Sequence, residues 1–488
     1  MDFIQANLID PVSKVLYTYV LIYLLVAVGI YFTIRTRFIQ IRYFGRMLRQ
    51  VLHSREQSDG ISSFQAFCVG LASRVGTGNI AGVAIALTVG GPGAIFWMWV
   101  VAAIGMATAL IEATLGQIFK VRADDGSFRG GPAFYIQRGL GSRAGGMLFA
   151  VLLVFTFGFA FNMLQANAIS DVLNASHNIE VHWTTIGLVL LSAPVLFGGV
   201  KRVAKVAEFV LPVMALAYVT LALIIVAMNI TYLPQVLGQI FGGAFGFTQM
   251  AGGFTGGVAA AMLNGVKRGL FSNEAGMGSA PNVAATATVS HPVKQGLIQS
   301  LGVFVDTMII CSATAFIILI SGPDIYDPAA PGKRAGAALT QAAIGSALGS
   351  WTTGLMTGLV FVFAFSSVLG NYVYAEINLF FLGAKKNAIM IFRLLVLGAI
   401  ALGATSKLAT VWDIADIAMG FMALVNLVAI VLLGKWAFAA IRDYHRQSAD
   451  GSDPVFVAEE AGLPGVLDGD IWSTGERRLA SSGRDVPA

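Results

Sequence analysis

Four small or polar residues, Gly76, Thr77, Gly78 and Asn79, interrupt a stretch of the chain that is otherwise apolar enough to cross a membrane. Without water, every backbone group that such a break frees is costly unless something inside the protein satisfies it. Irregular backbone is tolerated at that depth where it lines a cavity, and broken helices mark binding sites in secondary transporters. The sequence therefore predicts a ligand site at residues 76–79.

The two ends of this break offer different chemistry. The first helical half is predicted to end near Ala72 to Val75, which leaves carbonyl oxygens without partners at the negative end of a helix dipole. Such oxygens suit a desolvated Na⁺. The second half begins near Asn79, where free N–H groups and the positive dipole end suit a carboxylate. An amino acid and Na⁺ can therefore be held together with little formal protein charge.

Two other interpretations of the same glycines explain less. A glycine-rich packing notch accounts for the glycines but not for the polar Thr77 and Asn79. The spacing Gly76-x-Gly78-x-x-Ala81 also matches a dinucleotide-binding fingerprint. That motif needs a preceding strand in a soluble βαβ unit, which an apolar helical span cannot supply.

A second group of helix breakers occupies Gly269 to Ser279 in a later apolar segment. A break at 270–277 would place this block opposite the first break, and its candidate binding residues are Ser272, Asn273, Glu274 and Gly276. If instead the helix 250–268 is a complete crossing, the block lies in a cytoplasmic loop.

The observations bearing on this second break conflict. Symmetry with the first break and a pause in hydrophobicity favour it. Lys267 and Arg268 near mid-membrane argue against it, unless they line a wet vestibule. A break at Gly252-Gly253-x-x-Gly256-Gly257 is a further alternative.

The composition is that of an integral membrane protein. Of the 488 residues, 56% are hydrophobic and 12% charged, and the mean hydropathy is +0.76, whereas soluble domains carry about 25% charged residues. The apolar runs are of helical length, which excludes a barrel of short alternating strands. The positive charges follow membrane topology, so no nucleic-acid partner is expected. No phosphate-binding loop or metalloprotease motif is present, so the chain is not expected to be an enzyme.

The hydrophobic segments predict an all-α polytopic protein with eleven transmembrane helices, at 16–34, 64–89, 92–119, 145–170, 183–200, 205–229, 250–290, 295–321, 347–382, 388–405 and 408–441. With alternate loops assigned to the cytoplasm, 17 Lys or Arg residues lie inside and four outside. The positive-inside rule therefore predicts an external N-terminus and a cytoplasmic C-terminus.

The span count also predicts an internal repeat. Ten spans follow the first and divide five and five, each half starting with a broken helix, so the halves run in opposite directions. The predicted units are 1–62, an extra helix and a basic loop; 63–230, the first repeat; 231–446, the second repeat; and 447–488, a disordered cytoplasmic tail.

Three blocks resemble the sodium:alanine (alanine or glycine:cation) symporter family: Ser73-Arg-Val-Gly-Thr-Gly-Asn-Ile-Ala-Gly82, Gly90-Gly-Pro-Gly-Ala-Ile-Phe-Trp-Met-Trp-Val-Val-Ala-Ala-Ile-Gly105 and Gly269-Leu-Phe-Ser-Asn-Glu-Ala-Gly-Met-Gly-Ser-Ala-Pro281. They occur in the family's order within residues 16–441. The resemblance implies a leucine-transporter-like five-plus-five inverted repeat. It also implies Na⁺- or H⁺-coupled uptake of alanine or glycine.

The resemblance also implies roles for individual residues. The backbone amides of Thr77 and Gly78 would bind the substrate carboxylate, and Asn79 would line the site. The carbonyls of Ala72 and Val75 would form a Na⁺ site, which that fold completes with hydroxyls of the ninth span. Here these are Ser366 and Ser367, although such serines also bond back to their own helix.

Three further polar residues lie inside predicted spans. Gln165 is on a span that lines the site in that fold, where it either contacts substrate or links helices. Asp306 is an intramembrane carboxyl group, which by default suggests function; it can ligate a second cation, carry a proton or cap a helix. Glu112 is interpreted as a structural partner or an interfacial residue.

The sequence thus predicts Na⁺-coupled symport of alanine and/or glycine across the plasma membrane by alternating access. H⁺-coupled symport and a passive channel built on the same bundle are the alternatives. Na⁺ is the co-transported ion, the amino acid and the lipid bilayer are the expected partners, and a monomer is compatible with these features.

Overall fold

The computed structural model describes residues 10–52, 61–124, 126–246, 256–327, 336–449, 453–467 and 471–473. This part of the chain is mostly helical. Its helices are, in order, α1 Pro11–Arg35, α2 Ile39–Arg42, α3 Phe44–Leu52, α4 Ser63–Arg74, α5 Gly78–Gly90, α6 Gly93–Ile118, α7 Pro132–Leu140, α8 Arg143–His177, α9 Val181–Leu196, α10 Gly199–Met228, α11 Leu233–Phe245, α12 Gly256–Asn273, α13 Ala280–Thr286, α14 Pro292–Ile320, α15 Ala337–Leu348, α16 Thr352–Phe381, α17 Lys386–Thr405 and α18 Leu408–Ala449.

Non-helical elements are few among the described residues. The strands β1 Val121–Arg122 and β2 Phe128–Arg129 pair antiparallel after α6. A parallel bridge joins Ile61 to Ala287, so the start of α4 lies beside the end of α13.

The chain is an all-α polytopic membrane protein. In the described residues, eight helices are long and apolar enough to cross a membrane: α1, α6, α8, α10, α14, α16, α17 and α18. The pair α4 and α5 forms a ninth span with a bend of 48°. Of the remaining predicted spans, α9 has only 16 residues, and α12 carries Lys267 and Arg268. The count of eleven, the inverted repeat and the domain limits stay predictions.

Both predicted interruptions are present. The first separates α4 from α5. The second lies between Asn273 and Ala280, slightly later than the predicted 270–277, with positive φ at Glu274 (58°), Gly276 (93°) and Gly278 (81°). Glycine adopts such angles readily, whereas a glutamate does so at a cost. The alternative at 252–257 begins in residues outside the described part of the chain.

The prediction of a disordered tail from residue 447 is wrong for the described residues that follow it. Helix α18 continues to Ala449, and the segments 453–467 and 471–473 pack on the bundle. Phe456 and Trp472 are buried and meet edge to face, with ring centroids 5.4 Å apart. The indole nitrogen of Trp472 donates to the carbonyl of Gln117 at 3.1 Å. Two aromatic side chains therefore hold a segment that lacks any helical apolar pattern.

Candidate functional site

The first break is shaped by the side chain of Asn79. Helix α4 ends at Arg74, and the next residue, Val75, has a ψ of 86° that lies outside the helical region. The amide of Gly76 donates to Asn79 Oδ1 at 3.0 Å, and the amide of Asn79 donates to the carbonyl of Gly76 at 3.2 Å. Asparagine suits this position because its short side chain accepts from backbone amides just before it. The π-helical turn Gly78–Gly82 follows at once, and such turns are frequent at functional sites.

The carbonyl end of this break meets a hydroxyl from another helix. Ser367 on α16 donates from Oγ to the carbonyl oxygen of Ala72 at 2.8 Å. Its neighbour Ser366 bonds back to Phe363 in its own helix at 2.9 Å. The structure thus brings Ser367, but not the hydroxyl of Ser366, to the end of α4. Val75 is fully buried beside them.

The side chain of Gln165 on α8 closes the same region. Its Oε1 accepts from the amide of Thr77 at 3.1 Å. A Cβ added to Gly76 would lie 3.1 Å from that oxygen and 2.2 Å from Ser367 Oγ. Only glycine at position 76 lets these two side chains approach the backbone so closely. The hydroxyl oxygen of Thr77 is buried without a hydrogen-bond partner.

An aromatic ring covers the start of α5. Phe271 of α12 lies so close to Gly78 that an added Cβ would come within 2.8 Å of the ring. The Phe271 ring lies 4.7 Å from that of Phe161 and 4.8 Å from that of Trp412, measured between centroids. The amide end of the first break is therefore covered by Phe271, which packs against two further aromatic side chains.

Asp306 joins the two breaks. Its carboxyl group is fully buried in α14, within the π-helical stretch Phe304–Cys311. It accepts from Asn79 Nδ2 at 2.6 Å and from Ser272 Oγ at 2.6 Å, and Thr307 donates a third bond at 2.8 Å. Asn79 also donates to Ser272 Oγ at 3.2 Å. Residues predicted separately on three helices thus form one hydrogen-bonded cluster.

Glu274 connects the second break to α4. Ser73 donates to its Oε1 at 2.9 Å, and Ser279 donates to its Oε2 at 2.5 Å. Asn371 lies on the other side of the same hydroxyl, with 2.8 Å between Ser73 Oγ and Asn371 Oδ1. Asn273 caps its own turn by accepting from Ala275 at 3.0 Å, while its Nδ2 is buried without a partner.

The amide end of the second break is occupied by Glu112. Its two carboxyl oxygens accept from the amides of Gly276 and Gly278, each at 3.1 Å. Asn426 donates to the same carboxyl group and to the carbonyl of Gly276. The amide of Gly276, predicted to bind substrate, is therefore bonded to the protein itself. A buried mid-span carboxyl group was the available signal for Glu112, but its partner lies 164 residues along the chain.

The two cations that argued against the second break share one carboxylate. Lys267 and Arg268 both contact Asp416 Oδ2, at 2.7 and 2.6 Å. The guanidinium of Arg268 also lies 4.4 Å from the centroid of the Trp412 ring. Pairing with a carboxylate from α18 explains how these charges reach the depth of the bundle.

The charges around the breaks favour a cation. Glu112, Glu274 and Asp306 are at most 1% exposed, and Arg74 is 2% exposed. Arg74 donates to the carbonyl of Gln299 at 3.3 Å, and its Nε and Nη2 have no partner. Buried charges must be balanced, and three carboxyl groups face one guanidinium. In the described residues no three His, Cys, Asp or Glu side chains converge on a metal position.

Comparison with known proteins identifies the family of this chain. The sodium:alanine symporter family matches residues 1–458. The chain is 50% identical to the probable sodium/glutamine symporter GlnT of Bacillus subtilis, over 93% of this chain and 94% of that protein. It is 48% identical to the amino-acid carrier protein AlsT of the same organism, over 96% and 97% of the two chains. It is 38% identical to the sodium/alanine symporter AgcS of Methanococcus maripaludis, over 89% and 95%. The chain is therefore a multi-pass membrane transporter, not an enzyme, and it belongs to the sodium:alanine symporter family.

Proposed function

We propose that this protein couples Na⁺ entry to the uptake of a small neutral amino acid, alanine and/or glycine, across the plasma membrane. The observation that carries the proposal is the bonding of Asp306 to both helix breaks, through Asn79 on one side and Ser272 on the other. A ligand that changes one break then acts on the other through a single buried carboxyl group.

The proposed Na⁺ position lies at the carbonyl end of the first break. Ala72 and Val75 supply carbonyl oxygens there, and Ser367 supplies the hydroxyl already bonded to Ala72. Oxygen ligands of this kind suit a hard cation. Ser366 is left out of this site because its hydroxyl faces its own helix. Asp306 is proposed as the ligand of a second cation.

The proposed substrate position lies beside Thr77, Gly78, Asn79 and Gln165. The amides at the start of α5 meet the amino-acid carboxylate, as helix N-termini do for anions. The free hydroxyl of Thr77 supplies a further donor. Phe271 bounds the space next to Gly78, so a small side chain suits the site. From the second break, Ser272 and Glu274 are hydrogen-bonded to the first break through Asn79 and Ser73, and Asn273 lies between them in the chain with a free Nδ2.

Transport of Na⁺ and of the amino acid is coupled because both bind at the first break. Substrate and Na⁺ organise the two ends of the same seven-residue segment, 72–78, so each raises the affinity of the other by the same factor. Alternating access then carries both across as the bundle rocks. The positive-inside distribution places the N-terminus outside and the C-terminus in the cytoplasm.

Two specific alternatives come from the relatives. Two Bacillus proteins, 42% and 36% identical, are named sodium/proton-dependent alanine carriers, and a proton on Asp306 would serve that mode. The name of the relative at 50% identity makes glutamine a second substrate candidate.

The deciding experiment uses the purified full chain in proteoliposomes. Counterflow of labelled alanine is measured with glycine, serine and glutamine as competitors, and uptake is measured with Na⁺ or choline outside at one pH. We expect uphill accumulation that requires Na⁺. Uptake that is unchanged when choline replaces Na⁺, but that increases with an imposed pH gradient, would establish H⁺ coupling. Flux without accumulation would establish a channel.

A further inference from the structure

A basic pocket lies where α1 and α18 reach the same end of the bundle. It has a volume of about 430 Å³, and its basic lining is Arg35, Arg37, Arg42 and Arg442, with His445 beside them. Ile34, Ile39, Phe438 and Ile441 form its apolar lining. The eleven described residues that line it include no carboxylate.

No carboxylate in the described part of the chain pairs with any of the four arginines. None of them makes an ion pair with a described residue; their recorded contacts are with rings and a backbone carbonyl. Arg35 lies 5.2 Å from the centroid of the Phe438 ring, and Arg42 reaches the carbonyl of Arg37 at 3.5 Å. Asp443, next to Arg442 in sequence, is buried and bonded to His291, Arg446 and Gln447. Four permanent positive charges therefore line one pocket with no counter-ion among the residues that the structure describes.

The backbone that presents Arg37 is strained. Arg37 and Phe38 have φ values of 56° and 57°. The amide of Phe38 donates to the carbonyl of Thr33 at 2.8 Å, and the amide of Arg37 donates to that of Ile34 at 3.0 Å. This is a Schellman helix end, in which glycine normally takes the left-handed position. The Cβ of an arginine is strained in this conformation, so the end of α1 carries a cation at a position that glycine adopts more easily.

The surroundings of the pocket place it at a membrane surface. The spanning helix α1 ends at Arg35. The apolar side chains of Ile34, Phe38 and Ile41 are exposed beside the pocket. A soluble surface rarely groups such residues, whereas an acyl chain covers them. Cations above exposed apolar side chains match the amphipathic shape of a phospholipid.

We propose that this pocket binds the phosphate of an anionic phospholipid headgroup, with the acyl chains along the exposed face of α1. Arginine forks bind phosphate oxygens in pairs, and basic pockets between membrane helices accept lipid head groups of this class. This binding site is separate from the helix breaks and does not depend on which amino acid is carried.

Native mass spectrometry of the detergent-purified full chain tests the proposal. The protein is titrated with dioleoyl-phosphatidylglycerol, with dioleoyl-phosphatidylcholine and with inorganic phosphate. The triple variant R37Q/R42Q/R442Q is compared with R143Q/R202Q/K386Q, which removes the same charge from exposed residues outside the pocket. Each arginine is expected to raise the affinity for an anionic lipid by about fivefold, so the pocket variant should bind phosphatidylglycerol about 100-fold more weakly than wild type.

The control variant should retain at least a tenth of the wild-type affinity, and phosphatidylcholine should bind wild type no better than it binds the pocket variant. Equal losses in the two variants would show general surface attraction and overturn the site. Inorganic phosphate that binds as tightly as phosphatidylglycerol would overturn the lipid assignment in favour of a soluble phosphate. The thermal unfolding midpoint of each variant without lipid verifies that it is folded.

Discussion

The close approach of Gly76 to Ser367 allows a steric test of the proposed Na⁺ position. In Gly76→Ala, the new Cβ would stand 2.2 Å from Ser367 Oγ and 3.1 Å from Ser367 Cβ. The hydroxyl has to leave, and it then loses its bond to the carbonyl of Ala72. The backbone itself tolerates alanine, because Gly76 does not have a positive φ.

The size of the effect follows from the lost hydrogen bond. A buried carbonyl left without its partner costs about 1–3 kcal/mol. If Na⁺ uses the hydroxyl and the carbonyl together, its affinity falls by a similar amount, which is about fivefold to 150-fold. We therefore expect the Na⁺ concentration for half-maximal alanine uptake to rise by that factor in Gly76→Ala.

Gly82→Ala is the matched control. Its added Cβ meets nothing closer than Trp412, at 3.5 Å, which is an ordinary contact. Both changes add one methyl group to the same broken span, but only the first displaces Ser367. The Na⁺ dependence of Gly82→Ala should remain within about twofold of wild type, because the added methyl group displaces no neighbouring atom, and changes without such a disruption are usually within ±0.5 kcal/mol.

A double variant separates displacement of the hydroxyl from general damage. Ser367→Gly removes both atoms that clash with the alanine, so Gly76→Ala/Ser367→Gly should resemble Ser367→Gly alone rather than show the sum of two losses. Thermal unfolding with increasing Na⁺, at constant ionic strength in choline, gives the affinity without transport. Wild-type Na⁺ affinity in a folded Gly76→Ala protein would refute the assignment of Ser367 and Ala72.

Three further predictions concern groups away from the proposed ligands. Asp416→Asn should lower the free energy of unfolding by about 3–5 kcal/mol, because it leaves the buried Arg268 and the partly buried Lys267 without their carboxylate; an unchanged chemical denaturation midpoint would contradict the pairing. Trp472→Ala should release the tail with a loss of about 3–5 kcal/mol, seen as faster proteolysis after α18, whereas the exposed Trp351→Ala should not change the cleavage rate. Burial lowers the pKa of His291 below its usual value. As the pH falls, this imidazole therefore takes up a proton in the unfolded chain before it does so in the folded protein, and the free energy of unfolding should decrease below about pH 6.5. His291→Gln should flatten the dependence of the thermal unfolding midpoint on pH between pH 5 and 7.

The predicted pH dependence rests on the contacts of the His291 imidazole. His291 Nδ1 accepts from the amide of Val293 at 3.2 Å, which requires an unprotonated nitrogen there. Its Nε2 lies 3.3 Å from Asp443, and Lys294 and Asp453 are the other charged groups acting on it. Protonation gains attraction to Asp443 but removes the helix cap, and burial adds to the cost. A steeper acid loss in His291→Gln than in wild type would reverse the sign of this reasoning.

The local features of the fold were predictable from the sequence, and the long-range pairings were not. Two runs of glycine and polar residues within apolar segments indicated both breaks. The position of the second stayed open because Lys267 and Arg268 look unfavourable until Asp416, almost 150 residues later, is seen to pair with them. Helical periodicity also did not predict the packing of the tail, because Phe456 and Trp472 lie in segments without regular secondary structure.

The predicted symmetry of the two breaks hides a difference in their chemistry. Each exposes backbone amides to the interior, but at the second break Glu112 already binds the amides of Gly276 and Gly278. A carboxylate of the protein thus stands where an inverted repeat would place that of a ligand. At the first break the partners are neutral, Gln165 and Asn79, and the hydroxyl of Thr77 is free. The nearest carboxyl group, Asp306, bonds the side chain of Asn79 rather than these amides. We therefore expect an anionic ligand to bind at the first break rather than at the second.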